Sequence, residues 1–328
     1  MMAFQLPMRG LAAAIVIAWA ALPSLLNAQP YPSRAIRLIV PQAPGSASDN
    51  VARLVAAELT ARLGQQVVVD NRPGGALTIG IDLVVKAAPD GYTLGYAPIG
   101  SLVIGPNMFR KPPYDVNKDI AAVALVAFNQ MLLAGSPKHP FKNVQEVIDF
   151  AKQNPGKLSN ASSGNGSPGH VGFELFRHLA GLNVVHVPYK GGAAAITDLI
   201  AGQVHLMMES LNSITPHAKA GRVRALGVSS LKRSPAVPDV PTIAESGVPG
   251  YDATTWNGLI APAGTPREIV RRLNAEVNNA LSSQSLKEKL ALVGADPAPA
   301  PPEAFANLIK SENVKWANVI QRSGAKID

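Results

Sequence analysis

The stretch Ile36-Arg-Leu-Ile-Val-Pro-Gln-Ala-Pro-Gly-Ser-Ala-Ser-Asp49 decides the fold. Its first five residues form a mostly apolar, β-branched run of buried-strand length, which gives way to small residues that open a helix. The helix is predicted from Ser48 to Leu63, with Val51, Leu54, Val55, Leu59 and Leu63 on one face. Ser46 is placed to cap it, and Asp49, three residues on, resembles the acidic member of a capping box. Strand, short loop and helix make the unit from which parallel sheets are built.

The unit repeats further along the chain. Gln66–Asp70 and Tyr92–Ala97 read as strands around a helix from Thr78 to Ala88, giving βαβαβ. The same grammar restarts with strands Met131–Gly135 and Leu158–Ala161 around a helix Val144–Gln153. Helix Pro168–Leu179, strand Val184–Val187, helix Ala193–Ala201 and strand Val204–Met208 follow. One more strand is predicted at Trp256–Ala261, and then helices Arg267–Leu281, Leu286–Leu290 and Pro302–Gln321. These last helices offer no sheet of their own and are expected to pack back on the first lobe. Between Ser229 and Tyr251 the prolines 235, 238, 241 and 249 mark an irregular wrap. The length is near that at which one core stops growing, so an α/β chain of two lobes with a cleft between them is expected.

The N-terminus reads as an export signal. Arg9 precedes an apolar run from Leu11 to Leu26, and small residues follow at Asn27-Ala-Gln29, so residues 1–28 are expected to be removed by cleavage near Ala28 in transit to the periplasm. The run is shorter than the roughly 20 residues of a spanning helix and contains Pro23. The chain has no cysteine, which excludes disulfides, zinc thiolates and a cysteine nucleophile. Its net charge of +8 comes from scattered Lys and Arg without interleaved aromatics, so a solvated basic surface is expected and no nucleic acid.

Ligands of open α/β sheets bind beyond the carboxyl ends of the strands. Three loops there are rich in small residues. They are Pro41–Asp49, Ser162-Ser-Gly-Asn-Gly-Ser-Pro-Gly169 with Ser167 as an N-cap, and Pro188-Tyr-Lys-Gly-Gly192. Helix N-termini with exposed N–H groups form anion sites, so the three loops point to a small carboxylate, with capping of ordinary tight turns as the competing reading. No nucleotide-binding glycine pattern follows any strand, and no His or carboxylate pair has metal-ligand spacing, so neither cofactor nor metal is expected. His170 reads as either a cleft-facing group or a packed first-turn residue, while His186 and His205 read as structural. Trp256 and Glu209 are placed at the cleft, each with an equally open structural reading. A carboxylate at 209 repels an anion and favours an ammonium or hydroxyl donor. A hydrolase using Ser167 and His170 and a ligand sensor docking on a signalling protein are the rival functions.

The runs Tyr31-Pro-Ser-Arg-Ala-Ile-Arg-Leu-Ile-Val-Pro41, Asp70-Asn-Arg-Pro-Gly-Gly75, Ala88-Pro-Asp-Gly-Tyr-Thr-Leu94, Ala161-Ser-Ser-Gly-Asn-Gly166, Val185-His-Val-Pro-Tyr-Lys-Gly191, Asp239-Val-Pro-Thr242 and Ala261-Pro-Ala-Gly-Thr-Pro266 closely resemble the substrate-binding subunit of tripartite tricarboxylate transporters, the Bordetella uptake gene family. The resemblance covers essentially the whole mature chain. It implies a non-enzymatic, type II-like periplasmic binding protein with two doubly wound sheets joined by crossing strands. The lobes implied are residues 29–127 with 253–328, and residues 128–252. It further implies delivery of a small carboxylate to membrane subunits, and a monomer is expected. Carried over onto this chain, the ligand residues are Pro44, Gly45, Ser46 and Asp49 in the first loop and Ser162, Ser163, Gly164, Asn165, Gly166 and Ser167 in the second, with His170, Lys190 and Gly191. Three positions depart from the family pattern: Ser46 replaces a glycine, Pro98 stands before Ser101 where threonine is common, and Glu209-Ser210 ends a strand that usually ends in Asp or Asn. Ser101, Glu209 and Trp256 complete the expected site.

Overall fold

The computed structural model describes residues 31–164 and 167–323; the expected signal segment, residues 1–28, lies outside the described residues. The first lobe begins with β1 (Ile36–Val40), α1 (Ala47–Leu63), β2 (Val67–Asn71), α2 (Thr78–Val85) and β3 (Thr93–Pro98). A long β4 (Ile120–Asn129) then carries the chain across to the second lobe. There β5 (Met131–Gly135), α3 (Val144–Gln153), β6 (Ser159–Ser162), α4 (Pro168–Ala180), β7 (Val185–Pro188), α5 (Gly192–Ala201), β8 (Leu206–Ser210), α6 (Leu211–Lys219) and β9 (Arg224–Val228) follow. The chain returns through β10 (Thr255–Pro262) and ends with α7 (Arg267–Ser282), α8 (Gln284–Leu292), β11 (Ala295–Pro297) and α9 (Pro302–Ser323).

Two sheets result, ordered β11-β4-β10-β3-β1-β2 and β7-β6-β8-β5-β9. Ile36, Leu38, Ile39 and Val40 of β1 are fully buried, as a strand covered on both faces requires. The pairing is parallel among β1, β2 and β3 and among β6, β7 and β8. It departs from the all-parallel grammar where the chain crosses between lobes. Strand β10 re-enters antiparallel between β3 and β4, and β5 lies antiparallel between β8 and β9. A strand that arrives from the other lobe runs against the strands built in place, so both sheets are mixed. The elements β4, β9, β11 and α6 were not expected from sequence, nor were the short helical segments Gly75–Leu77, Gly100–Ile104 and Gly105–Met108. The C-terminal section does return to the first lobe, but it brings β11, which pairs with β4 at the sheet edge.

The crossing strands place the two sets of loops face to face. Helix α4 reaches the cleft because Gly169 lies against the end of β8, where a Cβ would stand 2.0 Å from the Met208 carbonyl oxygen. Tyr251, in the wrap, donates its hydroxyl to the Gly172 carbonyl at 3.1 Å and packs edge-on against Phe176, fixing α4 from behind. Among the described residues no helix is long and apolar enough to cross a membrane.

Candidate functional site

Between the lobes lies a cavity of about 850 Å³, lined by all three of the small-residue loops and by both crossings. Each loop is built differently.

In the first loop Ser46 caps α1, its Oγ accepting from the Asp49 N–H at 3.2 Å. The Asp49 carboxylate is buried and turns inward. Oδ2 accepts from the Gly45 N–H at 2.8 Å and from Arg53 Nε at 2.9 Å, and Oδ1 accepts from Asn71 Nδ2 at 2.9 Å. Burial alone would raise this carboxyl, but the hydrogen bonds from Arg53, Gly45 and Asn71 hold it below the usual carboxylate range. The box therefore closes on Gly45, one residue before the cap, and Gly45 adopts φ 79° to allow it. The Ser46 N–H is also committed, to the Ala43 carbonyl at 3.2 Å. The backbone donors left over are those of Ala47 and Ser48, the first two residues of α1, which have no acceptor among the described residues and line the cavity. Gly45 and Ser46 also line it; Pro44 and Asp49 do not.

In the second loop Ser163, Gly164 and Ser167 line the cavity. Ser167 caps α4 through the His170 N–H at 3.3 Å. Ser162 is buried behind them, with Oγ 2.7 Å from His186 Nε2 and accepting from the Gly164 N–H at 3.2 Å. His170 is not a lining residue: its ring stacks on that of His186 at 3.8 Å between centroids and 10° between planes. Burial, then the nearby Arg177 charge, lowers His170 to about 4; burial, then His170, lowers His186 to about 4. Both are neutral near pH 7 and support the loop from below. The contact that the described residues show between this pair is the cap, in which the Ser167 hydroxyl oxygen accepts from the His170 backbone N–H. Asn165 and Gly166 lie outside the described residues.

The third loop leads into α5, whose N-terminus has no side-chain cap and opens on the cavity through Gly191, Gly192 and Ala193. Lys190 is exposed and lies away from the lining. Beside Gly192 stands Glu209. Its Oε1 accepts from the Ser210 N–H at 2.8 Å and its Oε2 has no partner at hydrogen-bond geometry among the described residues; burial pushes its pKa up against the hydrogen-bonding groups of Ser210 and Ser163, which pull it down. Trp256 lines the cavity from β10 with its ring edge-on to Phe305 at 5.4 Å, and its Nε1 has no partner among the described residues. Ser101 is turned away: its Oγ donates to the Pro98 carbonyl at 2.8 Å and its own carbonyl accepts from the Tyr114 hydroxyl.

Gln130 and His217 also line the cavity and were not expected. Gln130 sits between β4 and β5, at the crossing, and its Oε1 has no partner among the described residues; His217 lies four residues after Ser213 on α6. The spacing of Ser213 and His217 was the available signal, masked by Pro216 inside that helix. Among the described lining residues Glu209 and His217 are the ionisable ones, and none is Lys or Arg. An anion entering here is met by backbone N–H groups and helix termini.

A family model described as the tripartite tricarboxylate transporter family receptor matches residues 51–325. A protein encoded in the tcbD–tcbE intergenic region of Pseudomonas sp. strain P51 is 42% identical over 291 residues, covering 88% of this chain and 86% of its own. Among solved structures, Rpa4515 of R. palustris with adipate superposes with a TM-score of 0.81 at 37% identity, covering 90% of this chain and 98% of that one. MatC of Rhodopseudomonas palustris with bound malate gives 0.78 at 34% identity, covering 88% and 100%.

Proposed function

The chain belongs to the tripartite tricarboxylate transporter receptor family, and on that premise we propose that it is an exported receptor that captures a small carboxylate in the interlobe cavity and hands it to membrane subunits of a secondary transporter. The observation that carries this reading is the pair of uncommitted N–H groups of Ala47 and Ser48 at the start of a helix of 17 residues, facing a cavity whose described lining holds no Lys or Arg. Aligned peptide dipoles make such a terminus electropositive without a cationic side chain. Hydrogen bonds to a charged group contribute about 1.5–3 kcal/mol each, so two at α1 and one or two from the second loop approach the roughly 8 kcal/mol of a micromolar complex. Adipate and malate in the related structures support a carboxylate as the ligand. Residues 29–127 with 253–328 and residues 128–252 are the lobes that close on it, by bending at the crossings near Gln130 and Thr255.

Native mass spectrometry of the mature chain, followed by calorimetry with whatever small molecule co-purifies, tests the proposal. A bound carboxylic acid returned unaltered after incubation is the expected result. A co-purified ligand without a carboxylate overturns it.

A further inference from the structure

Helix α5 offers the same electropositive terminus as α1, but this chain has already placed a carboxyl group there. Glu209 Oε2 approaches Gly192 so closely that a Cβ on Gly192 would stand 2.9 Å away and push the carboxyl aside. The side chain lies at the cavity wall, 9% exposed, its Oε1 accepting from the Ser210 N–H; the Ser163 and Ser210 hydroxyls stand close enough to favour the charged carboxyl, but Oε2 has no partner at hydrogen-bond geometry among the described residues. A second orphan acceptor is nearby: Gln130 Oε1 belongs to the residue whose backbone carbonyl accepts from the Leu211 N–H at 3.0 Å, two positions beyond Glu209. Two buried acceptors without donors cost free energy unless something entering the cavity supplies N–H or O–H groups. A second ligand carboxylate supplies none and would face Glu209 with like charge.

We propose that Glu209 sets specificity by accepting a hydrogen bond from the end of the ligand remote from its carboxylate, so that this receptor takes monocarboxylates bearing a hydroxyl or ammonium group in preference to simple dicarboxylates. The inference rests on the carboxylate reading above and adds the second half of the ligand. Its physical content is an asymmetric cavity, with backbone donors and no facing carboxyl at α1, and at α5 a terminus shared with the Glu209 carboxyl and the Gln130 amide oxygen.

Calorimetry with matched probes tests it. Adipate, succinate and terephthalate are each compared with the analogues in which one carboxylate is replaced by a hydroxymethyl or an aminomethyl group, using the mature wild-type chain and Glu209→Gln. The wild type is expected to bind a donor-ended analogue at least about tenfold more tightly than the dicarboxylate on the same spacer. In Glu209→Gln the amide oxygen still accepts, so a hydroxyl probe keeps its affinity within a few-fold, an ammonium probe loses about tenfold, and the dicarboxylate gains. A thermal melt of each chain confirms folding, and the wild-type ranking alone is decisive if the variant does not fold. Dicarboxylates that bind the wild type as well as or better than their analogues on every spacer overturn the inference. A co-purified dicarboxylate overturns it while leaving the carboxylate reading intact. Silence of every probe, together with a co-purified molecule lacking a carboxylate, overturns both.

Discussion

Asp49 and Gly45 hold the first loop closed, the carboxylate Oδ2 accepting the Gly45 N–H at 2.8 Å. The same carboxylate ties the loop to Arg53 and to Asn71 on β2, so one buried group organises the turn, the helix start and the neighbouring strand. Asp49→Ala leaves the Gly45 N–H unmet, takes from Asn71 Nδ2 one of its two acceptors and frees Arg53 from its partner, and is expected to cost about 2–4 kcal/mol of stability. Urea unfolding measures that loss. Ligand affinity should fall as well, although Asp49 does not line the cavity; an unchanged dissociation constant in a folded variant would show that loop order is irrelevant to capture.

Ala47 separates donor from scaffold. It is the first residue of α1, a position that accepts proline well, and Ser46 before it has φ −69° and ψ 162°, the extended backbone that a following proline requires. Ala47→Pro therefore deletes one N–H and little else. Calorimetry should show ligand binding weakened about tenfold or more, while the melting temperature of the free protein stays within a few degrees. Ser46→Pro is not an equivalent test, because it breaks the Ser46 N–H contact to Ala43 and removes the cap. Full affinity in Ala47→Pro would move the ligand away from the α1 terminus.

The stacked pair His170 and His186 predicts acid sensitivity. Both have folded pKa values of about 4, below the ordinary 6.5, because burial disfavours their charged forms. Glu174 opposes this at His186 and Arg177 reinforces it at His170, so the pair is neutral in the folded state. The unfolded chain binds more protons between these values, and stability from this source is complete above pH 6.5 and is lost as pH falls toward 4. Melting temperature against pH should decline over that window. In His170→Phe/His186→Gln, which keeps a ring and a partner for Ser162 without the titration, the decline should be shallower; parallel curves would remove the pair from the account.

The parts legible in sequence are those set by local chemistry. Ser46 and Ser167 announce their caps because an N-cap bond spans three residues, and the small-residue loops announce the cleft. Strand β4 escaped because Ile120–Asn129 is apolar and alanine-rich with no period of two, and α6 because Pro216 interrupts its pattern. The directions of β5 and β10 depend on where the chain crosses between lobes, which no local run encodes. Side-chain facing was the weakest inference for the same reason. Ser101, Lys190 and His170 sit in or beside the right segments, yet tertiary packing turns them to Pro98, to solvent and to His186.

The burial of Glu209 makes a final prediction, independent of any ligand. Burial raises its pKa, so the charged form is less favourable folded than unfolded. A carboxyl raised above its unfolded value of 4.5 contributes stability that is complete below that value and is lost as pH rises through the folded one. Replacing it with glutamine removes the charge but keeps an oxygen to accept the Ser210 N–H. Glu209→Gln should therefore melt at a higher temperature than the wild type at neutral and alkaline pH, with the gap narrowing as pH falls toward 4.5. Such a gain in the empty protein, traded against the ligand preference expected above, is the pattern of a polar group retained for recognition at the expense of stability. A variant that melts lower than the wild type at every pH would instead make Glu209 part of the scaffold.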